Sequence, residues 1–209
     1  MWARARYSPH MPSPYPHPRT GALRAAFGRA VLALLGWRLE VTLPEGPKGI
    51  IIVYPHTSNW DFPVGYLAKL ALRLPLRWMG KDSLFAGPFA ALFRWMGGIP
   101  VNRRERTGFI AAIAREFEAA PWLWLVLAPE GTRKHTDHLK SGFWHLAQAA
   151  KVPVGLAYID WGQKEIGLRR YVEMTGDEAA DLAVIRAEYQ GKRGKRPGNE
   201  SELRFLPRA

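Results

Sequence analysis

Short apolar runs alternate along the chain with longer stretches in which apolar residues recur every three or four positions. The runs GIIIVY (residues 49–54), WLWLVLAP (122–129) and VPVGLAYID (152–160) have strand length and are rich in β-branched and aromatic residues, so they predict buried strands. LRWMGK (76–81) and IPVN (99–102) predict shorter extended segments, and GLRRYVEM (167–174) a strand pairing with the run before it. Between them lie predicted helices over 62–74, over 82–98 (opened by Asp82 and closed by glycines), over 107–120 with Thr107 as cap, over 141–150 capped by Ser141, and over 177–190. Strands separated by helices imply an α/β fold with a mostly parallel central sheet flanked by helices. In such a sheet, chemistry belongs to the loops that leave the carboxyl ends of the strands.

The amino-terminal part follows another pattern. Residues 1–20 are rich in proline and aromatic residues, which predicts no regular structure. Residues 21–40 contain ALRAAFGRAVLALLGW, an apolar stretch interrupted by Arg24 and Arg29. It predicts an amphipathic, membrane-associated helix with its arginines toward lipid headgroups, although the same pattern also serves a helix docked on its own core. No run of eighteen apolar residues occurs, and the stretch lacks the form of a secretory signal. The body of the fold is expected over 41–190, and residues 191–209 form a basic tail carrying Lys192, Arg193, Lys195 and Arg196.

Thirty Lys and Arg against eighteen Asp and Glu give a formal charge of +12, which calls for an anionic partner: nucleic acid, acidic lipid, a phosphorylated metabolite or an acidic carrier protein. Nucleic acid fits poorly, because the basic clusters do not interleave with aromatic residues and no known nucleic-acid module is present. With no cysteine, disulfides, thiolate metal sites and a cysteine nucleophile are excluded. Trp2, Trp37, Trp78 and Trp95 lie near basic residues, a placement that suits a lipid interface.

Three loops carry candidate chemistry. VYPHTSNWDF (53–62) sets His56 and Asp61 five positions apart. They point about 140° apart on a helix and to opposite faces on a strand, so they meet only across a tight bend. If they meet, Asp61 accepts the Nδ1 proton and leaves Nε2 as a general base; the alternative is a capping Asp beside an incidental His. Ser58 in the same loop reads as a hydrogen-bonding group. LAPEGTRK brings Glu130, Gly131, Thr132 and Arg133 after a buried strand, with backbone N–H groups and a guanidinium suited to phosphate. GGIPVNRRER places Gly98, Arg103 and Arg104 around a short extended run. His135, Asp137 and His138 make a weak metal candidate, and no metal is expected. No G-x-S-x-G elbow is present, which argues against a serine hydrolase.

The four segments HTSNWD, GGIPVNR, PEGTR and VPVGLAYI, in this order, resemble the four blocks of the glycerolipid acyltransferase family, whose bacterial type member acylates lysophosphatidic acid. The resemblance covers roughly residues 49–160. It implies catalysis by His56 as base and Asp61 as its orienting partner. It also implies acceptor binding by Gly98, Arg103, Glu130, Gly131, Thr132 and Arg133, and an acyl-donor association for Pro153. Pro100 and Asn102 stand where the common pattern is more often apolar and acidic. The implied activity is acyl transfer from acyl-CoA or acyl carrier protein, as co-substrate with no cofactor, to a lysophospholipid such as 1-acylglycerol-3-phosphate, or to another lysolipid such as lyso-ornithine lipid. The expected setting is the anionic surface of a bacterial inner membrane, peripheral on the cytoplasmic face.

Overall fold

The structure is a computed structural model that describes residues 21–101 and 108–206. Among these residues the elements run α1 (Ala22–Leu34), β1 (Arg38–Val41), β2 (Lys48–Tyr54), α2 (Asp61–Leu72), β3 (Arg77–Lys81), a 3-10 turn (Asp82–Phe85), α3 (Ala90–Trp95), β4 (Gly98–Val101), α4 (Phe109–Ala119), β5 (Leu123–Leu127), α5 (Gly142–Ala150), β6 (Val154–Asp160), β7 (Glu165–Val172) and α6 (Glu178–Tyr189). The strands form one sheet in the order β1-β7-β6-β2-β5-β3-β4. Neighbours are parallel throughout except β6 and β7, which pair antiparallel. This is the mixed α/β architecture with a mostly parallel sheet that the alternation of runs predicts.

Side-chain alternation along β2 divides the core into two layers. Ile50, Ile52 and Tyr54 join Leu125, Leu156, Phe117, Phe143, Leu146 and Ile185 in a core between the sheet and helices α4, α5 and α6. Ile51 turns the other way, against Trp124 and Leu168. Further along that face, Val64, Ala68 and Ala71 of α2 pack with Leu32 of α1, Trp37 and Ile159. Because β2 is buried on both faces and paired on both edges, its end is a fixed platform for the loop that follows.

Three local expectations are corrected. The segment over 21–40 is not one helix: α1 stops at Leu34, and Gly36 takes φ 76° with its N–H bonded to the Ala33 carbonyl, while the Trp37 N–H bonds Leu32. This glycine-closed helix end turns the chain into the edge strand β1, whose RLEV sequence was hidden behind the apolar run. The helix over 82–98 is split by Gly87-Pro88, because a residue before proline is disfavoured in the α region. Ser141 precedes α5 as its N-cap without a side-chain capping bond, and Thr107 lies outside the described residues.

α1 is docked on α2. Its Ala25, Gly28 and Leu32 are buried, and a Cβ on Gly28 would lie 2.8 Å from the Leu67 carbonyl oxygen, so only glycine permits this approach. Arg29 is not turned to solvent: its Nη1 donates to the Ala71 carbonyl at the end of α2, 3.1 Å away. The outward face remains apolar, with Leu23 88% and Leu34 86% exposed. No helix among the described residues is long and apolar enough to cross a membrane.

Candidate active site

The loop after β2 folds back on itself through two local side-chain to backbone hydrogen bonds. The Ser58 hydroxyl accepts the Trp60 N–H (3.2 Å), and Asp61 Oδ2 accepts the Ser58 N–H (2.9 Å). These two bonds close a local turn just before α2, whose own N-cap, Trp60, has no side-chain capping bond. The same bend brings Asp61 Oδ2 to 3.1 Å from His56 Nδ1. Of the two alternatives for this pair the structure has the meeting: Asp61, the first residue of α2, faces the imidazole and makes no capping bond to the helix. Asp61 is 3% exposed, whereas the His56 side chain keeps 22% of its surface open.

A third donor reaches Asp61 from outside the loop. Trp161, just beyond β6, gives its indole N–H to Asp61 Oδ1 at 2.7 Å. Both oxygens of the buried carboxylate are thereby engaged, Oδ2 by Ser58 and His56 and Oδ1 by Trp161, which holds its plane against the imidazole. Sequence reasoning missed Trp161. The signal was the tryptophan placed at the carboxyl end of the strand next to β2, but nothing in its neighbours marks it as functional.

Glu130 is 1% exposed, and both of its oxygens accept backbone N–H groups: Oε2 from His56, and Oε1 from Ser201 at 3.2 Å. Burial raises its pKa against the lowering effect of these hydrogen bonds. Its side chain therefore faces the chain's own backbone, tying the His56 loop to the carboxyl-terminal segment. Gly131 takes φ 65°, the left-handed turn that lets the chain reverse after β5, and Thr132 Oγ1 accepts the Lys134 N–H. Arg133 is exposed and lines a small cavity with Thr57, Ser58, Asn59, Trp60 and Arg196.

Gly98 begins β4 opposite Trp78 and is buried. A Cβ there would fall 2.7 Å from Phe85 and Trp78, so its place is set by ring packing. Arg103 and Arg104 lie outside the described residues. Pro153 precedes β6 and bonds through its carbonyl to Ile50 N–H, at the end of the sheet opposite His56. It borders a larger groove of about 1970 Å³, which none of the predicted catalytic or acceptor-binding residues lines. His135 and His138 are engaged separately, by the Glu200 carbonyl and Asp137, and no three His, Cys, Asp or Glu side chains gather for a metal among the described residues. Of the tryptophans expected at an interface, Trp37 is buried against Trp161, Trp78 sits in a cluster with Phe62, Phe85 and Phe93, and Trp95 is exposed; Trp2 lies outside the described residues.

The carboxyl-terminal segment is not a free tail. Arg196 N–H donates to Thr57 Oγ1 (3.1 Å), Asn199 Nδ2 to the Arg133 carbonyl (3.2 Å), and Trp161 N–H to the Arg193 carbonyl (2.9 Å). Tyr54, whose phenol is held protonated by burial and then by the Glu130 and Glu200 charges, donates to the Ser201 carbonyl at 2.9 Å. Residues 191–201 therefore lie over both the His56 loop and the Glu130–Arg133 turn.

Comparison with known proteins agrees with this arrangement. The crystal structure of the 1-acyl-sn-glycerophosphate (LPA) acyltransferase PlsC from Thermotoga maritima has a similar fold. The TM-score is 0.55 at 18% identity, over 83% of this chain and 80% of that one. No curated protein sequence matches significantly. The family model described as Acyltransferase matches residues 39–157. That span is more than half of the chain and contains His56, Asp61 and the Glu130–Arg133 turn, so the chain belongs to the Acyltransferase family.

Proposed function

We propose that the protein transfers a fatty acyl group from a thioester, acyl-CoA or acyl carrier protein, to the hydroxyl of a lysophospholipid such as 1-acylglycerol-3-phosphate. The observation that carries this reading is the His56–Asp61 pair at 3.1 Å, in a loop bordering a cavity with two arginines. Asp61 faces Nδ1 and fixes the proton there, so Nε2 is the nitrogen offered to a substrate. The acceptor hydroxyl gives its proton to Nε2 as its oxygen attacks the thioester carbonyl carbon. The C–S bond of the tetrahedral adduct then breaks, and the departing thiolate takes the proton from the imidazolium, leaving ester and free thiol. The proton balance closes on the imidazole, so this chemistry needs no cofactor.

The membrane setting belongs to the same proposal. Leu23, Phe27 and Leu34 on the outer face of α1, with Phe89, Leu92 and Trp95 around α3, are exposed large apolar side chains, and the Arg24 guanidinium lies over the Trp95 ring at 5.0 Å. An apolar face edged by arginine suits peripheral binding to anionic lipid, here the cytoplasmic face of a bacterial inner membrane.

The test is acyl transfer from labelled acyl-CoA and acyl carrier protein to a panel of lysolipids in anionic liposomes. His56→Ala is expected to lower turnover by at least about a hundredfold while folding and liposome binding persist. Transfer to no acceptor, or full activity of His56→Ala, refutes the reading.

A further inference from the structure

We propose that Arg196, on the carboxyl-terminal loop beyond the span of the family match, completes with Arg133 a subsite for a phosphate group and makes the protein selective for a phosphorylated ligand. The identity of the molecule bearing that phosphate rests on the acyl-transfer reading; the subsite itself does not.

The two arginines border one cavity of about 120 Å³ together with Thr57, Ser58, Asn59 and Trp60. That is roughly the room of four waters, enough for a tetrahedral oxyanion and too little for an acyl chain. Neither guanidinium has a carboxylate partner among the described residues. The carboxylates nearby are occupied otherwise: Asp61 by Ser58, His56 and Trp161; Glu130 by the His56 and Ser201 N–H groups; and Glu200 by the N–H groups of Gly194 (2.8 Å) and Gly198 (2.6 Å). The oxygens of these carboxylates are thus directed at backbone, indole and imidazole groups, and none of them pairs with either guanidinium.

The loop is built to hold Arg196 in place. Glu200 bridges two of its N–H groups, closing it into a compact turn. Gly194 lies so close to the catalytic loop that a Cβ would sit 2.5 Å from the Thr57 side chain. The Arg196 N–H bonds Thr57 Oγ1, one residue from His56, and Asn199 bonds the Arg133 carbonyl, so both arginines are anchored through main-chain groups while their guanidinium forks are left free. With the main chain fixed, binding orders only the two side chains, and their planar forks suit phosphate oxygens. The neighbouring Lys195 is used differently: its ammonium lies over Trp60 (4.8 Å) and Trp161 (4.3 Å), bracing the rings.

The test uses the full chain with Arg196→Gln and Arg196→Lys, both of which keep the Thr57 main-chain bond. Thermal melts confirm that each is folded. Calorimetric titration with inorganic phosphate and with sn-glycerol 3-phosphate is expected to show binding about tenfold weaker in Arg196→Gln than in wild type, with Arg196→Lys between them and no heat from glycerol. Wild type that binds neither anion, or Arg196→Gln that binds as wild type does, overturns the subsite. A turnover arm then separates sources. A KM raised for lysophosphatidate but not for monoacylglycerol assigns the site to the acceptor headgroup; one raised for acyl-CoA but not for acyl-pantetheine assigns it to the donor's phosphates. Arg196-dependent anion binding by a chain that transfers no acyl group would keep the subsite and refute the acyl-transfer reading instead.

Discussion

The indole of Trp161 is the group through which the proposed catalytic pair, His56 and Asp61, can be tuned without replacing either residue. Trp161→Phe removes one N–H and keeps a ring in place, so the edge contact with Trp37 (4.9 Å) and the stacking of Lys195 are largely preserved. What is lost is the 2.7 Å bond to Asp61 Oδ1, on a carboxylate only 3% exposed, where water cannot replace the donor. A hydrogen bond to a charged group contributes about 1.5–3 kcal/mol. If its full value is needed to hold Asp61 against an imidazolium at the transition state, kcat falls about 10- to 100-fold, with the acceptor KM held. Steady-state kinetics on folded variants measure this, together with a double-mutant cycle against Asp61→Asn. The two substitutions are expected to be strongly non-additive, because Trp161 acts only through Asp61. A Trp161→Phe protein with wild-type kcat, or equal losses in the presence and absence of Asp61, would show that the indole only packs.

Glu130→Gln is expected to lose about 1–3 kcal/mol of stability, since an amide NH2 must then face a backbone donor, and to lower kcat; a raised acceptor KM with unchanged melting would instead mark Glu130 as a ligand group. Gly98→Ala places a methyl 2.7 Å from the Phe85 and Trp78 rings and is expected to cost about 1–3 kcal/mol by overpacking, read from denaturant midpoints. Burial lowers the Lys69 pKa to about 8, below its value of about 10.4 in an unfolded chain. Between these values the unfolded state holds more protons, so stability rises with pH, on the order of 1 kcal/mol between pH 8 and 9.5. In Lys69→Met that rise should vanish, and the same slope in both proteins would refute the assignment.

The parts of the fold that patterning disclosed are those with a single strong period. β2, β5 and β6 are apolar on both faces because helices cover both sides of the sheet, and their runs have no other reading. β1 escaped notice because four residues at a sheet edge bury only half of their side chains and follow directly on a more apolar helix. The break at Gly87-Pro88 was visible in the letters, yet the apolar spacing on either side concealed it. In the site, the separation of His56 and Asp61 required a bend, and the turn closed by the Ser58–Trp60 and Ser58–Asp61 bonds supplies it.

Trp161, Arg196 and Ser201 were illegible for a different reason. Trp161 and Arg196 reach the His56 loop across 100 and 139 positions, and Ser201 reaches Tyr54 and Glu130 across 147 and 71, and local pattern carries no information about such meetings. The family match ends at residue 157, whereas one donor to each of Asp61 and Glu130, the Trp161 indole and the Ser201 N–H, comes from beyond that point. Glu130 makes the connection physical: one oxygen holds the His56 backbone and the other the Ser201 backbone, which ties the geometry of the His56 loop to the docked carboxyl-terminal segment. Truncation before Lys192 is therefore expected to leave the sheet assembled and the His56–Asp61 pair loosened. Far-UV circular dichroism should stay near native while turnover falls as far as it does in His56→Ala; truncated protein with full turnover would show that the loop holds its shape alone.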